Sequence, residues 1–215
     1  QVNTGGFRWF PDMPADYHIS VYVAGVLARM IRDSLLVPGM INSLDVQQFT
    51  QKLSNYIVYD RAAEEYIRNT KGFLNVIYVL SQLGTVSKTD SLQASWRERI
   101  IRIWSDAYKL PLPQQARLIA ATLRLPAMDH LLPTADSLLK SIMQLAITDD
   151  KGMRWKDIAN NTGMSESAEE LLYLLNDAIS IRGSFANERR QIARWILQTR
   201  EGEIWSSTMA VSAAA

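Results

Sequence analysis

His18 and His130 are the only histidines in 215 residues, and there is no cysteine. Each histidine stands beside a carboxylate: His18 near Asp16 and Tyr17, His130 directly after Asp129. An imidazole oriented by a carboxylate is equipment for general base catalysis near neutral pH. Neither has a nucleophile in a recognisable setting nearby, and residues adjacent in sequence point apart on a helix or strand. The spacings H-E-x-x-H, G-x-x-x-x-G-K-[ST], G-x-G-x-x-G and G-x-S-x-G do not occur. Glu64-Glu65 and Glu169-Glu170 are neighbours and do not converge as an acid/base pair. Without cysteine, disulfides, thiolate zinc and iron–sulfur clusters are excluded. The sequence nominates no catalytic residue, no cofactor site and no metal site, and an enzyme is not expected.

Arginine is the other residue type with chemistry to offer. It outnumbers lysine sixteen to seven within 23 basic residues, and its planar fork suits carboxylate or phosphate. Arg97, Arg99, Arg102, Arg117 and Arg124, with Lys109, face only Glu98 and Asp106 in the most basic stretch. Arg189, Arg190 and Arg194 form a second group near residue 190. These eight arginines are the candidate nucleic-acid contacts, reading phosphates without regard to base sequence. The alternative is a solvated face balanced by Glu98, Asp106 and Glu188. The total of 22 acidic residues leaves a net charge of +1, so no global field draws in a polyanion.

Residues 154–175 carry the spacing of a helix-turn-helix: Ala159 at the crossing, Gly163 in the turn, Ser165 as the second cap. Its second helix would open with Glu166, Glu169 and Glu170, which repel phosphates. A plain helical hairpin satisfies the same spacing, with the acids favourable at a helix N-terminus.

The elements that must hold these residues are helical by their periodicity. Asp16 caps a helix to about Val37, with Ile19, Tyr22, Val23, Val26, Leu27, Met30 and Ile31 as its apolar stripe, and Pro38-Gly39 ends it. Ser43 caps a second helix with Val46, Phe49, Leu53, Tyr56 and Ile57 inward, and a short polar helix fits 60–69. Residues 72–83 are apolar on all sides and read as a central helix. A helix over 91–108 turns Leu92, Trp96, Ile100, Ile103, Trp104 and Ala107 inward, and another fits 113–124. Pro126 and Pro133 bracket a linker, and Thr134 caps a helix to about Ile147. Helices near 154–161, 165–180 and 185–200 follow, with no strand pair expected. No 18-residue apolar run exists, so no membrane span is expected.

The fold class is therefore all-α: an arm over 1–15, a main helical domain over 16–148, a helical subdomain over 149–205 beyond the turn Asp149-Asp150-Lys151-Gly152, and a tail over 206–215. Residues 1–6 show neither a basic nor an apolar leader segment. The arm's Phe7, Trp9 and Phe10 have no periodic element of their own and would dock on their own domain or on another copy. Together these features lead to the expectation of a non-catalytic assembly subunit, such as a viral coat or nucleocapsid protein, partnered by copies of itself and by RNA or DNA. A DNA-binding regulator using 154–175, or a helical enzyme or ligand-binding domain, are the alternatives.

Overall fold

The computed structural model describes residues 4–32, 43–84, 94–156, 168–183 and 185–198, and 78% of them are helical. They fall into two compact units, 1–93 and 94–215.

In the first unit, helix α1 is Tyr17–Arg32, α2 is Ser43–Tyr59, α3 is Arg61–Ile67 and α4 is Thr70–Leu83. Asp16 caps α1 as expected, Ser43 is the first residue of α2, and Asp60 and Asn69 add two caps that were not expected. Asp16 Oδ1 accepts from Ile19 N–H at 2.9 Å, Asp60 from Ala62, and Asn69 from Gly72. The apolar run at 72–83 is α4, a helix packed by α1, α2 and α3, with nine of its residues buried. It is hydrophobic all round because it is enclosed all round. On α2, Leu53, Tyr56 and Ile57 are buried as expected, while Val46 and Phe49 are half-buried.

Helix α1 departs from its expected stripe. Its buried residues are Tyr17, Ser20, Val21, Ala24, Gly25 and Ala28, whereas Ile19, Val23, Val26, Leu27 and Met30 are only half-buried, and Tyr22 and Ile31 are exposed. The physical reason is proximity. Small side chains let the α1 backbone approach α4 closely, and Gly25 lies against Val79. The larger side chains are thereby turned to the opposite side.

In the second unit, α5 is Ala94–Trp104, α6 is Leu112–Arg124, α7 is Leu132–Gln144, α8 is Ala168–Arg182 and α9 is Ala186–Gln198. The helix expected over 91–108 ends at Trp104, and a 3-10 turn at Ala107–Lys109 follows. Trp96, Ile100 and Trp104 face inward, with Trp104 Nε1 donating to Thr122 Oγ1 at 3.0 Å. The expected linker between Pro126 and Pro133 is wound as a 3-10 segment, Pro126–Leu131, leading directly into α7. Helix α7 thus starts before Thr134, which lies inside it rather than capping it, and ends at Gln144.

A strand pair is present where none was expected. Ile147–Asp149 (β1) and Gly152–Arg154 (β2) form an antiparallel hairpin, so no helix begins at 154. Three residues per strand are too few for alternation to register in the sequence. Asp149 closes the turn by accepting from Lys151 N–H at 3.0 Å, and Gly152 has φ of 127°. Strand β2 packs on α9 so closely that a Cβ at Gly152 would lie 2.3 Å from the Gln191 carbonyl oxygen. The turn 149–152 therefore lies within the second unit. The helix-turn-helix spacing at 157–167, Pro38-Gly39, Leu92 and the tail lie outside the described residues.

Candidate interaction surfaces

The N-terminal segment divides into an anchor and a presented loop. Gly5 and Gly6 are buried against α2: a Cβ would lie 2.3 Å from Lys52 O at Gly5 and 2.8 Å from the Tyr56 ring at Gly6. Phe7 then donates its N–H to Ser20 Oγ at 2.8 Å, and its carbonyl accepts from Asp16 N–H at 2.6 Å. Its ring meets Phe49 edge-on at 5.7 Å. Phe7, nominated with Trp9 and Phe10 as a subunit contact, is thus used within its own unit.

The next residues form a built turn. Met13 N–H bonds to Pro11 O at 2.7 Å, and Asp12 adopts φ of 63°. Trp9 is 65% exposed, Phe10 66% and Met13 50%.

The eight nominated arginines sort into three settings. Arg117 and Arg124 are withdrawn into the unit. Arg117 Nη2 meets Glu170 Oε1 at 2.8 Å, and Arg124 Nη2 meets Asp177 Oδ1 at 2.5 Å. Both partners lie on α8, and both pairs are removed from solvent, so these guanidiniums are not offered to phosphate. Their pairing in the same order, seven residues apart on each helix, also shows that α6 and α8 run parallel.

Arg97, Arg99 and Arg102 lie on α5. Partial burial, and then the nearby Arg102, lower the affinity of Arg99 for its proton. Arg189, Arg190 and Arg194 are exposed on α9, opposite to or flanking its buried Ile192 and Ile196.

Among the described residues neither histidine is held by a carboxylate. His18 is exposed with its ring edge-on to Tyr66 at 4.8 Å, and Asp16 is engaged as the α1 cap. His130 and Asp129 are both exposed on the 3-10 segment. Among the described residues no three His, Asp or Glu side chains gather as a metal site, and no helix is long and apolar enough to cross a membrane.

One feature escaped the sequence reading. An open depression of about 300 Å³ is lined by Asp136, Leu139, Lys140, Arg182 and Phe185. Arg182 chelates Asp136 there through Nε and Nη2, which raises its proton affinity. The ion pair accounts for the polarity of this depression. Comparison with protein-family models, with curated proteins and with solved structures finds no match to this chain.

Proposed function

We propose that this chain is a non-catalytic structural subunit that self-associates, of the coat or nucleocapsid type, with the loop over 8–14 as its contact. The observation that carries this reading is the exposure of Trp9, Phe10 and Met13 on a loop whose ends are fixed. A tethered, hydrogen-bonded turn holds the two aromatic rings outward, where burying each against a partner is worth about 1.5–3 kcal/mol. The outward side of α1 lends support, because Tyr22 is exposed there beside the half-buried Ile19, Val23, Val26 and Met30. Such a face commonly marks a protein contact.

Light scattering on the eluting protein tests the proposal. The wild-type chain should run as a species several times the 24.3 kDa of one copy. W9S/F10S should run at one copy with an unchanged circular dichroism spectrum. A wild-type protein that stays at one copy throughout the micromolar range overturns the reading, as does an assembly indifferent to W9S/F10S.

A further inference from the structure

We propose that the outer arc of α9, carrying Arg189, Arg190 and Arg194, is a binding strip for the phosphate backbone of a nucleic acid. The way these side chains are held distinguishes them from the four arginines whose ion pairs the structure shows. Arg117, Arg124, Arg154 and Arg182 each meet a carboxylate, which cancels the charge while fixing the side chain. On α9 the fixing groups are neutral amides.

Arg189 Nε donates to Asn176 Oδ1 at 3.2 Å. Gln198, with its amide turned so that both ends are satisfied, accepts from Arg194 Nε at 3.3 Å and donates to Lys151 O at 3.1 Å. Each tether uses the inner nitrogen of the fork. The two outer nitrogens remain in bidentate geometry for an oxyanion, with the positive charge intact.

Arg190 lies between them on the arc, one helical turn before Arg194. Like charges at that spacing repel by a few tenths of a kcal/mol, and no ion pair relieves them among the described residues. At about 100° per residue the three span roughly 140° of the helix surface. A strand crossing α9 can therefore meet all three forks. Among the described residues the opposing charges nearby are few. Glu188 is the one acid on α9, and in the adjoining hairpin Asp149 is engaged by Lys151 N–H and Arg154. A polyanion supplies what the arc lacks, and because the contacts go to phosphate, binding is indifferent to base sequence.

This strip does not depend on self-association through residues 8–14, so either proposal can fail alone. The test is fluorescence anisotropy of a labelled single-stranded oligonucleotide of mixed sequence, titrated with the full chain over a range of salt. Three phosphate contacts give a slope of log affinity against log salt of about 2, at about 0.7 each for a single strand. R189Q/R190Q/R194Q should remove most of that slope. R190Q, which disturbs no tether, should remove about one contact's share, and R99Q/R102Q on α5 should leave the slope unchanged. The proposal is overturned by absence of binding at low salt, by loss of slope in R99Q/R102Q but not in the α9 variants, or by equal competition from polyglutamate, which would make the partner an acidic protein surface.

Discussion

Tyr17 shows how much one side chain can settle. Its hydroxyl donates to the Ile57 carbonyl at 2.6 Å, satisfying one of the acceptors left open at the C-terminal end of α2. Burial, with Tyr66 and Asp60 nearby, pushes its phenol well above the ordinary tyrosine range. The folded state thus favours the neutral form. The stability it contributes is complete below the unfolded-state pKa of about 10 and is lost as pH rises above that value. Y17F leaves the carbonyl buried without that donor and should cost about 1–3 kcal/mol in urea unfolding near neutral pH. The same variant should show a shallower alkaline decline than the wild type.

Arg117 and Glu170 are a second case at this scale. Removing either alone, in R117M or E170M, strands a buried charge and should cost about 3–5 kcal/mol by chemical denaturation. R117M/E170M should recover most of that loss, since two apolar groups leave no charge to desolvate. A double variant as unstable as the sum of the singles would mean that the pair is not the interaction that matters.

At the scale of elements, the sequence disclosed the helices better than their faces. Asp16 and the apolar run at 72–83 placed α1 and α4 because caps and apolar runs are local signals, whereas the capping by Asp60 and Asn69 came from the structure. A stripe read by size misplaces the buried face of α1, because the contact with α4 selects for smallness at Ala24, Gly25 and Ala28. Sequence proximity joins the arginines of α6 to those of α5, because their carboxylates lie 53 residues further along the chain. A legible clue was present, since Arg117 and Arg124 share a face with Ala120 and Ala121. Matching the seven-residue interval of Glu170 and Asp177 would have completed it. The hairpin gave only its turn residues. Its dependence on α9 makes G152A informative: the methyl both meets the Gln191 carbonyl and forces φ of 127° on an L-residue. Thermal unfolding should show a loss of several kcal/mol for the second unit, beyond the ~1 kcal/mol typical of a surface change.

Across the whole molecule, a near-zero net charge conceals a local division of labour. Glu170 and Asp177 of α8 are turned inward onto α6, while Arg189, Arg190 and Arg194 on α9 meet no carboxylate among the described residues. A chain of 24.3 kDa with balanced charge has little long-range repulsion to hold copies apart, which is compatible with the proposed self-association through the loop over 8–14. The parallel course of α6 and α8 has a consequence in time as well as in space. Helices joined directly run antiparallel, so a parallel pair requires the intervening chain to travel back first. Here that return comprises α7 and the hairpin. The two ion pairs join residues 53 apart in the chain, and we expect them to close after the rate-limiting step of folding. Conservative changes at Glu170 or Asp177 should accelerate unfolding in stopped-flow measurements and leave the refolding rate nearly untouched. On that view the two buried pairs act as a latch, and what they govern is how long the native state lasts rather than how soon it is reached.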